Sequence, residues 1–94
     1  MSKANLLSEC NQLISNFAMK FGVFYEHQLP RPWQEDDEHR LYHETLDQVA
    51  LADRLGIDYV WAVEHHFLEE YSHLSAPEIF LAACAQRTST IRIG

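Results

Sequence analysis

Tyr59-Val60-Trp61-Ala62-Val63-Glu64-His65-His66-Phe67 decides how this chain is read, because an unbroken apolar run ends abruptly in three ionisable side chains. Five aromatic, β-branched or small apolar residues in succession, with no polar alternation, form the pattern of a strand buried on both faces. Such strands belong to parallel sheets covered by helices, and ligands bind those sheets outside the carboxyl ends of the strands. Glu64, His65 and His66 therefore stand where chemistry is expected.

Working outward, the preceding segment from about Asp37 carries Leu41, Tyr42, Leu46, Val49, Ala50, Ala52 and Leu55 toward one broad side of a helix. Gly56 followed by Ile57 suits a glycine C-cap with its hydrophobic contact. The acidic run Glu35-Asp36-Asp37-Glu38 stands at the helix start, where negative charge complements the helix dipole, and is read as a solvated helix beginning. Pro30 and Pro32 mark a loop before it. Lys20-Phe21-Gly22-Val23-Phe24-Tyr25 is a first buried strand, starting near Met19, with Glu26 and His27 just beyond its end. Leu6, Leu7, Cys10, Leu13, Ile14 and Phe17 line one face of an opening helix that Ser2 could cap. Downstream, Ser75-Ala76-Pro77-Glu78 reads as a capping box with proline in the first turn, and opens a face of Ile79, Phe80, Ala83 and Cys84. Ile91-Arg92-Ile93-Gly94 begins a third strand.

The order helix, strand, helix, strand, helix, strand is that of βαβ units in a parallel sheet. Right-handed crossovers place both connecting helices on one face, leaving the other bare, although the strands are apolar on both sides. Something outside these 94 residues must cover that face. A closed (β/α)8 barrel would do so, its inner face becoming packed interior, but such barrels run to roughly 250 residues. The expectation is an α/β chain holding the first three strand-helix units of an incomplete (β/α)8 (TIM) barrel. Residues 1–18 form an N-terminal helical extension and residues 19–94 a partial barrel domain cut at the third strand. The N-terminal helix closes the barrel bottom in the parent protein, or else folds over the bare face.

Composition narrows the functional classes. A formal net charge of −7, with seven scattered Lys and Arg, opposes binding to phosphate backbones, so nucleic acid is not an expected partner. No apolar run reaches the ~20 residues of a membrane span, and no signal peptide opens the chain, so a cytoplasmic protein is expected. Cys10 and Cys84 lie far apart and read as reduced thiols on apolar helix faces.

Glu26 and His27 after the first strand would lie near Glu64, His65 and His66 after the second. Continued strand alternation would place Glu64 and His66 on one face and His65 on the other. Among Trp33, Tyr42, Trp61, Phe67 and Tyr71, most read as ordinary packing, Phe67 and Tyr71 being the best placed to stack on a ligand. His27 and His73 could approach the same mouth.

The segment Tyr59 to Phe67, with Leu55-Gly56-Ile57-Asp58 before it and Met19-Lys20-Phe21-Gly22 further upstream, resembles the opening of the luciferase-like monooxygenases. The Glu-His-His-Phe sequence after an aromatic-apolar strand is the distinctive part, and the similarity runs from Met19 to Gly94. That resemblance implies a (β/α)8 barrel binding reduced flavin, FMN or in another branch the deazaflavin F420. It implies oxidation of a small organic substrate with dioxygen, a flavin reductase as possible partner, and an oligomer. His65 matches the first histidine of the family's pair, which implies a place beside the flavin in acid-base chemistry, as an imidazole suits. Glu64 and His66 are the further candidates, as catalytic residues or as groups that orient His65.

Two alternatives remain open on the residues alone. Glu64 and His66, joined by His27 or His65, could be ligands in a metal-dependent hydrolase barrel, although no His-x-His pair is present. The chain could also be a non-catalytic piece that docks on a partner. No phosphate-cradling glycine pattern occurs, so flavin contacts cannot be assigned from the sequence.

Overall fold

A computed structural model describes residues 2–16 and 19–94, the side chains of residues 13–16 excepted. Phe17 and the side chains of Leu13 and Ile14, read as part of the first helical face, lie outside the described residues. The elements follow in the expected order: α1 Lys3–Asn16, β1 Gly22–Tyr25, α2 Asp37–Arg54, β2 Tyr59–Ala62, α3 Pro77–Arg87 and β3 Arg92–Ile93. The strands form one parallel sheet in the order β1-β2-β3, with Gly22 to Tyr25 in register with Tyr59 to Ala62, and Tyr59 and Val60 with Arg92 and Ile93. Gly94 extends the last ladder, its N–H donating to Val60 O and its carbonyl accepting from Ala62 N–H, each at 3.0 Å.

Strand alternation divides the side chains between two environments. Val23, Tyr25, Ala62 and Ile93 pack with Val60 against a core of Val49, Ala52, Leu74, Phe80, Cys84 and Ile91, the helix-covered side. On the other side Phe24 and Trp61 are about half exposed, at 58% and 48%. The expected bare apolar face is therefore present. Trp61 lies along it between two glycines. A Cβ on Gly94 would stand 2.7 Å from Trp61 Cε3, and one on Gly22 would stand 3.3 Å from its Nε1.

The helix ends show which local signals held. Ser2 caps α1, its Oγ accepting the Asn5 N–H at 3.2 Å. The acidic run stands at the start of α2, where Asp37 Oδ2 also accepts the Gln34 N–H at 2.9 Å. At its end Gly56 adopts φ +84, donating to Asp53 O at 3.2 Å while Ile57 N–H donates to Ala52 O at 3.0 Å. This is the paired closure that a left-handed glycine permits.

Four expectations need correction. Ser75 does not cap α3: the helix begins at Pro77, the cap residue is Ala76, and no side chain bonds the first turn. Proline fixes the entry at the first helical position, which leaves Ser75 one residue too early. Leu55 and Ile79 are about 70% exposed, because Leu55 is the residue at which α2 ends and Ile79 turns away from the core at the start of α3. Cys84 is buried but Cys10 is exposed, as are Leu6 and Leu7 on the same helix. With Phe24 and Trp61 also open, α1 does not fold over the bare sheet face.

Candidate active site

The loops after β1 and β2 meet at the carboxyl end of the sheet, and the sequence turns sharply there. His27 and Phe67 adopt φ +55 and +62, left-handed conformations that non-glycine residues rarely hold without support. Support comes from crossed backbone bonds. His73 N–H donates to His27 O, His65 N–H to Leu74 O, both at 2.9 Å, and Leu29 N–H to Glu70 O at 3.0 Å. Arg31 adds ion pairs to Glu69 and Glu70, and its N–H donates to the Glu70 carboxylate at 3.0 Å. The two loops are thereby one unit.

Within that unit His65 Nε2 lies 3.4 Å from Glu26 Oε2, with the side chains 33% and 23% exposed. Tyr71 presents its ring near-perpendicular to the imidazole at 5.8 Å. Glu64 and His66 instead face each other at 3.8 Å, both more than half exposed. The trio divides as alternation implies, even though β2 ends at Ala62. A cavity of about 350 Å³ opens beside it, lined by His65, His66, Phe67, Trp33, Glu38 and His73 among others.

His27 does not reach the mouth. It is 3% exposed, its Nε2 is 3.0 Å from Thr45 Oγ1, and it stacks on Tyr42 with Phe80 against its edge. Burial, with a smaller contribution from His73, lowers its pKa to about 4, so it is a neutral core residue. His73 does line the cavity, its Nδ1 being 3.3 Å from Glu38 Oε1 and Trp33 lying edge-on at 5.3 Å.

The aromatic candidates scatter as well. Tyr42 bonds the His73 carbonyl, Trp33 donates to Leu29 O at 2.7 Å under Arg31, and Trp61 belongs to the open sheet face. Phe67, fully exposed, and Tyr71, half exposed, remain free to meet a ligand. Among the described residues no group of three or more His, Cys, Asp or Glu is arranged to hold a metal ion. The hydrolase ligand set does not assemble, since His27 is in the core and Glu64 meets His66 but not His65. Sequence reasoning undervalued Glu26, whose signal was its place directly after β1, and missed Thr45, a polar residue at a buried helix position.

A parallel α/β sheet thus carries an imidazole-carboxylate pair at the carboxyl ends of its strands. Residues 19–94 match the family described as luciferase-like monooxygenase. The chain belongs to the luciferase-like monooxygenase family. It is 38% identical over 76 residues to limonene 1,2-monooxygenase of Rhodococcus erythropolis, covering 79% of this chain and 18% of that one. It is 28% identical over 76 residues to the oxygenase component of the flavin-dependent trigonelline monooxygenase of Acinetobacter baylyi, covering 81% and 20%. Its fold is similar to the oxygenating constituent of 3,6-diketocamphane monooxygenase from Pseudomonas putida, solved with FMN, at a TM-score of 0.66 and 25% identity over 80% of this chain and 20% of that one. The chain thus spans about a fifth of the length of these relatives.

Proposed function

We propose that this chain is the N-terminal part of a (β/α)8-barrel monooxygenase that oxidises a small organic substrate with reduced flavin and dioxygen, His65 being its proton-transfer residue. The observation that carries the proposal is the His65–Glu26 pair beside a cavity at the strand ends, in a chain of this family. The bare sheet face becomes the barrel interior, which accounts for Phe24 and Trp61 being apolar and open.

FMN is the cofactor favoured over F420, since the diketocamphane enzyme was solved with FMN. The residues present fit one side of such a site. Phe67 and Tyr71 offer apolar surface to a flat ring, whereas Arg31, held by Glu69 and Glu70, is not free to bind its phosphate. Bound reduced flavin would supply the electrons that activate dioxygen. His65 would hold or move a proton at its ring, a task suited to an imidazole, which offers both a donor and an acceptor nitrogen. The trigonelline relative is named as an oxygenase component, which favours a separate flavin reductase as partner. Assembly into an oligomer belongs to the same proposal, with the apolar groove between α2 and α3 and its exposed Ile79 as the surface for a second copy.

His65→Ala in the complete protein tests the assignment. Turnover should fall by about a hundredfold or more, while reduced-flavin affinity, read by fluorescence titration, stays within about threefold. Unchanged turnover would remove His65 from the mechanism.

A further inference from the structure

We propose that Glu26 is the positioning residue of His65, the carboxylate that decides which imidazole nitrogen carries the proton. This rests on the reading of His65 as the proton-transfer group. Tyr25 and Ala62 are register partners at the ends of β1 and β2, so the residues that follow them emerge side by side. Glu26 is the first residue beyond β1, and its carboxylate reaches the ring of His65, three residues beyond β2.

Glu26 Oε2 is closed to solvent and has no hydrogen-bond partner among the described residues, while His65 Nε2 stands 3.4 Å away as its ion-pair partner. A carboxylate oxygen shut off from water is costly unless a donor or a positive charge answers it. The imidazole of His65 is the group placed to answer it, through a proton carried on Nε2. At 3.4 Å the contact is an ion pair without hydrogen-bond alignment, and catalytic hydrogen bonds are often long or poorly aligned before substrate binds.

The other nearby carboxylate cannot take this role. Glu64 meets His66 at 3.8 Å in a largely exposed pair. His65 itself has little freedom, because its N–H is held by the Leu74 carbonyl and its ring is flanked by Tyr71. With Nε2–H directed at Glu26, the lone pair remains on Nδ1, since a neutral imidazole has one donor and one acceptor nitrogen. Nδ1 then accepts a proton from the reacting group, giving an imidazolium balanced by the Glu26 carboxylate, and later returns the same proton. Glu26 neither gains nor loses a proton in that cycle.

The test uses the complete protein with 15N-labelled histidine. In the wild type the His65 nitrogen shifts should report the Nε2–H form, and Glu26→Gln, whose amide can donate to Nε2, should abolish it. In turnover Glu26→Gln should lower kcat about ten- to a hundred-fold with KM within about twofold, and Glu26→Asp should recover part of the loss. On a His65→Asn background Glu26→Gln should cost nothing further, because it acts only through the imidazole. A wild-type Nδ1–H form, a tautomer indifferent to Glu26→Gln, or an equal kcat loss on both backgrounds would each overturn the proposal. If the wild type neither binds reduced flavin nor consumes dioxygen, the proposed function fails, and the tautomer measurement still decides the role of Glu26.

Discussion

Asp53, near the end of α2, holds Ile91 at the entrance to β3: its Oδ1 accepts the Ile91 N–H at 2.8 Å and both the amide and hydroxyl of Thr90 at 2.9 Å. Its Oδ2 takes the Ser89 N–H at 2.9 Å. Three backbone donors on one carboxylate lower its pKa from 3.8 to about 2. A folded-state pKa below the ordinary value means stability present above 3.8 and lost as pH falls through about 2. Asp53→Asn turns an amide donor toward one of these N–H groups, so Tm should fall at neutral pH. The gap from wild type should narrow below pH 4 and close near pH 2, as followed by thermal melts across pH.

His27 shows the same sign at a different pH. Its folded-state pKa of about 4 lies below the ordinary 6.5, so its contribution is complete above 6.5 and is lost as pH falls toward 4. Thr45→Val removes the oxygen that accepts the buried Nε2–H and should cost about 1–3 kcal/mol. Urea titration of wild type and variant at neutral pH measures it.

Gly94 and Trp61 are coupled by shape. Gly94→Ala drives a methyl group into the indole, and overpacking of this kind costs about 1–3 kcal/mol. In a Trp61→Val background the same substitution should cost far less. Additive losses in a double-mutant cycle would show that the indole is not what excludes the Cβ.

Phe24 and Trp61 together form an apolar patch on a sheet that also has open edges. The 94-residue chain made alone should self-associate. A monodisperse monomer with cooperative unfolding in analytical ultracentrifugation and melting experiments would contradict this.

The element order, the parallel sheet and the bare face were legible because each depends on a local pattern: short unbroken apolar runs for the strands, a period of 3.6 for α2 and α3. The position of His65 at the carboxyl end of the sheet was legible from its place directly after an apolar strand. What escaped was pairing. Glu26 and Glu64 look equivalent in the sequence, each the first polar residue after an apolar strand, and only the inter-strand register gives His65 to Glu26. His27 was read as a mouth residue because nothing local signals its left-handed backbone, which goes with a ring packed into the core beside Thr45. Ser75 had the composition of a cap but the wrong offset, a difference of one residue that proline settles.

The crossed bonds that join the loop after β1 to the loop after β2 have a consequence for how such enzymes diversify. Among the described residues, the contacts that orient His65 come from Glu26, Tyr71 and Leu74. The loops after β1 and β2 thus carry the His65–Glu26 pair as one local unit. If later units complete the proposed barrel, exchanging them between relatives should leave the His65–Glu26 geometry intact.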